Sequence, residues 1–208
     1  LLNRNSKPQA KKNIVAHYDL GNAFYLLWLD SSMTYSSALF AQAATDGAAV
    51  HLPAAAHELE SAQRAKYARV LEELKLSRGA RVLELGCGWG GFAETAARAG
   101  VHTTGLTLSP SQLEYAQQRL KRQKLKADLK LQDYRDEQAV YDGIASIEMF
   151  EAVGEQYWPA YFATLHRCLK PGARACVQTI TIDDALFERY RSGTDFIQQY
   201  IFPGGMLP

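Results

Sequence analysis

The sequence predicts an α/β domain with a mostly parallel sheet and helices on both faces. Three observations lead to this prediction. Short apolar strand patterns alternate with helical patterns after residue 56, and such alternation is typical of βαβ units. A glycine-rich turn follows the first strand directly. The apolar share of 47% and the charged share of 22% are those of a globular protein, which excludes wholesale disorder.

The first 55 residues differ in amino-acid composition from the rest of the chain. Residues 1–13 are polar and basic, and we predict a solvated end there, with a basic arm near an anionic surface as the alternative. Residues 14–38 are rich in aromatic side chains and must pack on something. Residues 41–53 are rich in alanine and predict a loop. We therefore divide the chain into residues 1–55 and residues 56–208.

The helices of the second part are predicted from apolar spacing and end signals. Apolar residues recur at helical spacing over residues 56–76. Ser109 predicts an N-cap before Pro110, with Gln112 completing a capping box. Lys170-Pro171-Gly172 is a stop signal for the preceding helix. The predicted helices cover residues 56–76, 92–98, 110–120, 158–169 and 183–199.

Five short apolar runs predict the strands of the sheet. They cover residues 81–85, 103–108, 129–132, 141–147 and 173–182. A complete sheet of this class has more strands. Because Phe202-Pro203-Gly204-Gly205 is typical of a passage between elements, we expect further strands beyond Pro208, with residues 201–208 as a loop.

Charge and cysteine content exclude several functional classes. The net charge of +1 excludes a strongly basic nucleic-acid binder. The longest apolar run of the first third, residues 24–29, is far too short to span a membrane. Cys87, Cys168 and Cys176 have no CxxC spacing, so we expect neither a metal site nor a disulfide framework. We therefore expect the protein to be located in the reducing cytoplasm.

The turn over residues 86–91 is the strongest functional signal. Gly86 and Gly88 permit close backbone approach by a ligand, and spacing alone leaves a dinucleotide and S-adenosylmethionine both open. Glu84 would attract a cationic amine and repel a pyrophosphate. No acid follows the second strand to bind a ribose, which favours S-adenosylmethionine. Asp133 could accept a hydrogen bond from an adenine amino group, or could simply cap a turn.

Seven segments of the sequence carry a resemblance to a known family. They are Tyr18-Asp19-Leu20-Gly21-Asn22, Leu27-Trp28-Leu29-Asp30, Met33-Thr34-Tyr35-Ser36-Ser37-Ala38, Gly86-Cys87-Gly88-Trp89-Gly90-Gly91, Gly105-Leu106-Thr107-Leu108-Ser109, Gln132-Asp133-Tyr134-Arg135-Asp136 and Phe150-Glu151-Ala152-Val153-Gly154. Together they resemble the cyclopropane-fatty-acyl-phospholipid synthase family, which includes the mycolic acid cyclopropane synthases. The resemblance extends from about residue 13 to residue 208. The glycine turn is common to many class I methyltransferases, whereas the first and third of these segments are more specific.

This resemblance implies a Rossmann-like class I methyltransferase fold in which residues 1–55 form a helical, aromatic cap over the active site. It implies S-adenosylmethionine as methyl donor and a fatty-acyl chain in an apolar tunnel beneath the cap. The residues expected at the donor are Tyr35, Ser36, Glu84, Gly86, Gly88, Gly90, Thr107, Leu108, Gln112, Asp133, Tyr134 and Arg135.

The resemblance also implies a catalytic set that holds a bicarbonate ion as base. This set comprises Glu151, Ser37, Gln178 and Ile180. Ser37 and Gln178 stand where some members have cysteine and histidine; they can donate hydrogen bonds but do not titrate near neutral pH. Ala152 likewise replaces a histidine. The resemblance implies a cyclopropane fatty acid as the product, whereas these departures from the family pattern favour the alternative, a methyl- or methylene-branched chain.

The implied substrate is an unsaturated phospholipid acyl chain at the inner face of the cell membrane, contacted peripherally. Methylation of a small amine and ligand binding without catalysis are the other hypotheses. The sequence does not decide between a monomer and a homodimer, and nucleic acid is not expected as a partner.

Overall fold

A computed structural model describes residues 6–18, 20–40 and 56–193. The predictions for residues 1–5, for the loop at 41–53 and for the segment after residue 193 lie outside the described residues. Among these described residues, three helices precede the sheet: α1 (Lys7–Tyr18), α2 (Gly21–Tyr25) and α3 (Ala56–Leu74). None of the helices in the described part of the chain is long and apolar enough to cross a membrane.

In the part of the chain that the structure describes, five parallel strands form one sheet in the order β3-β2-β1-β4-β5. The strands are β1 (Arg81–Leu85), β2 (His102–Thr107), β3 (Asp128–Leu131), β4 (Tyr141–Ile147) and β5 (Leu169–Gln178). The connecting and following helices are α4 (Gly91–Arg98), α5 (Pro110–Arg122), α6 (Trp158–Cys168) and α7 (Asp184–Ser192). The predicted α/β class is confirmed.

The chain order reverses between β1 and β4, because β2 and β3 extend the sheet on one side and β4 and β5 on the other. Parallel α/β sheets bind ligands at such a switch point, beyond the carboxyl ends of the strands. Here these ends carry Leu85 and Ile147, so the glycine turn after β1 and the segment after β4 meet at this edge.

Apolar side chains alternate between the two faces of the central strands. Leu83 and Leu85 pack with Tyr161 and Leu165 of α6. Val82 packs on the opposite face with Val70 of α3. This alternation buries both faces of β1, as expected for a central parallel strand.

Three predicted boundaries are wrong: those of the N-terminal segment, of β5 and of α7, which ends at Ser192 and not at residue 199. Residues 7–13 belong to α1 and are not a solvated end: Lys7 pairs with Asp136, and Ala10 and Ile14 line the cavity described below. β5 begins at Leu169 and ends at Gln178, not at 173–182. Leu169 pairs with Tyr141 and Arg174 with Gly143. The predicted stop signal at residues 170–172 therefore lies within β5, where it produces an irregularity in the pairing with β4.

The start of α5 agrees with the predicted N-cap, but only half of the capping box forms. The Ser109 side chain accepts a hydrogen bond from the Gln112 backbone N–H at 3.3 Å. The Ser109 backbone N–H donates to Thr107 Oγ1 instead of Gln112. The Gln112 side chain therefore stays at the ligand edge, where it accepts from Thr107 Oγ1 at 3.2 Å.

Candidate functional site

A cavity of about 160 Å³ opens at the switch point between β1 and β4. A water molecule needs roughly 10–15 Å³ by this measure, so the cavity accommodates an organic ligand. Eleven of the twelve residues predicted to contact the donor line it. They are Tyr35, Ser36, Glu84, Gly86, Gly88, Thr107, Leu108, Gln112, Asp133, Tyr134 and Arg135.

The glycine turn forms the floor of the cavity. Gly86 has φ +76°, and a Cβ there would lie 2.8 Å from Met149 Cγ. Gly88 has φ +50°, and a Cβ there would meet no atom within 4 Å, so its backbone faces open space. Gly90, the twelfth predicted residue, does not line the cavity: a Cβ there would lie 2.9 Å from Ala116 Cβ, so Gly90 lets α5 approach this turn.

Glu84 is a buried carboxyl group on the cavity wall at the end of β1. Glu84 is 3% exposed, and its Oε2 has no hydrogen-bond partner in the described part of the chain. Burial raises the pKa of Glu84 from 4.5 to about 8, and the charge of Arg119 opposes this shift. An unpaired buried carboxyl group is costly, so this position favours a ligand that brings a hydrogen-bond donor or a cation.

Asp133 lies on the cavity wall, where Arg135 fixes its carboxylate. Its two carboxylate oxygens accept from the Arg135 guanidinium at 2.8 and 2.6 Å, and Oδ1 also accepts from the Arg135 backbone N–H. Burial would raise the pKa of Asp133, but these bonds lower it overall. The turn-capping role considered from the sequence is therefore present, and Tyr134 and Arg135 complete this wall.

Two α3 side chains hold the N-terminal wall, which contains Tyr35 and Ser36. Gln63 Nε2 donates to the Ser36 carbonyl at 2.7 Å, and the Lys66 ammonium donates to Ser36 Oγ and Gln63 Oε1. Burial lowers the pKa of Lys66 to about 8. Neither α3 residue was recognised from the sequence, because their positions fit the polar part of an amphipathic helix.

Aromatic rings connect this wall to the glycine turn. Tyr25 lies 5.0 Å from Trp89 and 5.7 Å from Tyr35 between ring centroids, and Trp89 Nε1 donates to Asn22 Oδ1 at 2.7 Å. Tyr18 lies edge-on to Trp89. The aromatic segment predicted to pack on something therefore packs on the ligand edge.

The four predicted catalytic residues form two groups, and none lines the cavity. Ser37 and Gln178 both bind the carboxylate of Glu148. Glu151 Oε1 accepts instead from Thr179 Oγ1 at 2.8 Å and from the Ile180 backbone N–H. Glu151 Oε2 is buried without a hydrogen-bond partner among the described residues.

Glu148 lines the cavity and was not identified from the sequence. Its place immediately after β4, at the carboxyl edge of the sheet, is the signal that could have identified it. Among the described residues, no group of three or more His, Cys, Asp or Glu side chains could hold a metal ion.

Comparisons with known proteins agree with this architecture. The family model described as mycolic acid cyclopropane synthetase matches residues 5–208. The tuberculostearic acid methyltransferase UfaA1 of Mycobacterium tuberculosis (strain ATCC 25618 / H37Rv) is 42% identical over 98% of this chain and 47% of its own length. The cyclopropane-fatty-acyl-phospholipid synthase of Escherichia coli (strain K12) is 39% identical over 100% of this chain and 50% of its own.

The chain thus spans about half the length of these two curated relatives. Among solved structures, mycolic acid cyclopropane synthase CmaA1 complexed with SAH and CTAB superposes with a TM-score of 0.78 at 32% identity, covering 95% of this chain and 70% of that one. On the family match and this structural agreement, the chain belongs to the mycolic acid cyclopropane synthetase family.

Proposed function

We propose that the protein transfers a methyl group from S-adenosylmethionine to the cis double bond of an unsaturated phospholipid acyl chain, giving a cyclopropane fatty acid. A methyl- or methylene-branched acyl chain is the second candidate product, because Ser37 and Gln178 supply no group that titrates near neutral pH. The observation that carries the proposal is the cavity itself, in which Glu84 Oε2 is buried beside the glycine turn with no hydrogen-bond partner among the described residues, and aromatic rings line the wall beyond it.

The residues present fit S-adenosylmethionine. Glu84 would bind the α-amino group of its methionine part, which satisfies the unpaired Oε2. Gly86 and Gly88 would let the ligand approach the backbone, and Thr107 with Gln112 would lie along the ribose. Asp133, Tyr134 and Arg135 would form the adenine side of the cavity. When bound, this donor supplies an electrophilic methyl group on a sulfonium centre.

The aromatic wall supports an alkene acceptor. An isolated alkene is a weak nucleophile, and its attack on a methyl group leaves a carbocation on the acyl chain. Aromatic faces stabilise a nearby cation by about 1–2 kcal/mol each in a desolvated site. Tyr18 and Tyr35 line the cavity, so both rings are available for this role.

A product assay tests the proposed function. The protein is incubated with S-adenosylmethionine and vesicles of a dioleoyl phospholipid, and the acyl chains are analysed by mass spectrometry. We expect the gain of one CH₂ per modified chain, and proton NMR then distinguishes a cyclopropane from an exocyclic methylene group. Donor binding without any modified lipid would contradict the proposal.

We further propose peripheral contact with a membrane surface. Large apolar side chains are exposed on α2 and the adjoining residues; they are Leu20, Phe24, Leu26, Leu27 and Trp28. Such a concentration is typical of an interaction surface. Lys11 and Lys12 of α1 are exposed nearby in sequence and could contact anionic headgroups.

Leu27→Asp should weaken vesicle binding about ten-fold or more, because Leu27 is 82% exposed and its insertion into lipid would bury most of a leucine side chain. The measurement is co-sedimentation with anionic vesicles at low and high salt. Leu186→Asp, at another exposed leucine, is the matched control. Equal binding by both variants would argue against this surface, and binding that vanishes at high salt would assign the contact to the lysines.

A further inference from the structure

We propose that Glu148 is the base that removes the proton from the methylated acyl chain, so that this protein carries its own carboxylate at the position where an external anion would otherwise be held. The inference rests on the proposed function and names a further catalytic residue for it.

Three hydrogen-bond donors converge on one oxygen of Glu148. Its Oε1 accepts from the Ser37 backbone N–H at 2.9 Å, from Ser37 Oγ at 2.6 Å and from Gln178 Nε2 at 2.9 Å. This arrangement is a binding site for a carboxylate-like anion, and a side chain of the protein fills it. Oε2 accepts no hydrogen bond from the described residues, so it keeps the lone pairs that a base needs.

The location of Glu148 suits a base better than that of its neighbours. Glu148 lines the cavity, whereas Ser37, Gln178 and Glu151 do not. Ser37 and Gln178 cannot accept a proton near neutral pH. Glu151 also carries a carboxylate, but its Oε1 accepts from Thr179 and Ile180 and its side chain is not part of the cavity lining. Glu148 is therefore the member of this group that combines access to the cavity with a group able to take a proton.

The backbone at Glu148 is unusual in a way that supports a functional role. Its φ is +46°, in the left-handed region that side chains other than glycine seldom adopt. The Glu148 N–H donates to the Gln178 carbonyl at 2.9 Å, which fixes this conformation at the end of β4. A strained residue on a cavity wall, with its side chain fixed by three donors, is typical of a functional site.

The charge of Glu148 reaches the donor side of the cavity. Burial raises the pKa of Tyr35, and the negative charge of Glu148 raises it further. The same charge opposes the lowering of the Lys66 pKa by burial. Glu148 thus lies close enough to the Tyr35–Ser36 wall for its charge to act on Tyr35 and on Lys66.

After methylation, the acyl chain carries a cation on the carbon next to the methylated one. Glu148 takes a proton from the new methyl group and becomes a neutral carboxylic acid, and the electron pair of the broken C–H bond forms the ring bond to the cationic carbon. If a hydride first shifts between the two chain carbons, the same proton removal forms an exocyclic double bond instead.

Glu148→Gln tests the step with little change in shape. We expect at least a hundred-fold loss of lipid product, while the dissociation constant for S-adenosylmethionine, measured by calorimetry, changes less than about three-fold. Glu72→Gln, on the exposed surface of α3, is the control for the same substitution. An active wild type together with an equally active Glu148→Gln variant would overturn the inference alone, whereas an inactive wild type would count against the proposed function.

Glu148→Gly provides the second test, because glycine adopts the left-handed conformation without strain and leaves the three donors facing a vacant position. We expect formate or bicarbonate to restore product formation in this variant and to have no effect on the wild type. Binding of ¹³C-bicarbonate, followed by NMR without turnover, should appear only in the variant. Loss of activity that neither anion restores, with no anion binding, would overturn the inference.

Discussion

Glu84→Gln is expected to weaken S-adenosylmethionine binding by about ten- to a hundred-fold, as measured by calorimetry. A hydrogen bond between charged groups contributes about 1.5–3 kcal/mol, and the amide removes the charge from it. Glu84 is 3% exposed and lies at the cavity wall with Oε2 unpaired among the described residues, so few other interactions can compensate. An unchanged dissociation constant would place the ligand's amine elsewhere.

The stability of the ligand-free protein should change in the opposite direction. The pKa of Glu84 is raised by burial from 4.5 to about 8, so the folded state holds a proton that the unfolded state releases. The free energy of unfolding of the wild type therefore falls as pH rises from 4.5 towards 8. Glu84→Gln removes this loss, and its melting temperature should exceed that of the wild type at about pH 8 but not at pH 4.5.

Binding should show the matching pH dependence. Because a cationic amine favours the ionised form of Glu84, donor binding releases a proton, and the affinity of the wild type should rise from about pH 6 towards pH 8. The variant should lack this rise. Glu72→Gln, at an exposed α3 position, should resemble the wild type in all three measurements. A variant that loses affinity and stability together would indicate misfolding and not the loss of a charge.

Local patterns predicted the parts of the fold that local forces determine. β1, the glycine turn and the start of α5 follow from apolar runs, glycine and a capping serine within a few residues of one another. α1 was missed because its exposed lysines resemble a solvated end, and only its tertiary contacts, such as Lys7 with Asp136, show that it is held. Likewise, Pro171 and Gly172 indicated a stop but could not indicate that strand pairing begins before them, at Leu169.

The candidate site likewise contains residues that the sequence predicts and residues that it does not. Gly86, Leu108 and Asp133 come shortly after strands, so their positions were predictable from the sheet rule. Tyr35 and Ser36 precede the sheet in the chain and were predicted only from the family resemblance. The family resemblance grouped Ser37 with Gln178, but Glu148 was not predicted beside them, and Ser37 lies 111 positions from Glu148 and 141 from Gln178 in the chain. Contacts at such separation depend on how the N-terminal segment lies against the sheet, which no local pattern specifies.

Arg119→Ala is expected to lower the free energy of unfolding by about 3 kcal/mol, measured by urea denaturation. Arg119 Nε donates to Glu94 Oε2 at 2.5 Å, and its Nη1 donates to the Ser32 carbonyl at 2.6 Å. The Glu94 side chain is only 6% exposed, so removal of the guanidinium leaves a buried carboxylate with Arg98 as its remaining cation among the described residues.

The same variant should release the N-terminal wall of the cavity. Ser32 Oγ hydrogen-bonds Thr34 Oγ1 at 2.7 Å, and Tyr67 donates to Thr34 at 3.1 Å, so the Arg119 bond to Ser32 fixes the residues that lead to Tyr35. Amide hydrogen exchange over residues 31–36 should therefore increase, and the affinity for S-adenosylmethionine should fall. Arg122→Ala, on the exposed side of the same helix, is the control. Faster exchange throughout the sheet, without a specific increase at residues 31–36, would show that Arg119 stabilises the whole fold and does not anchor this segment.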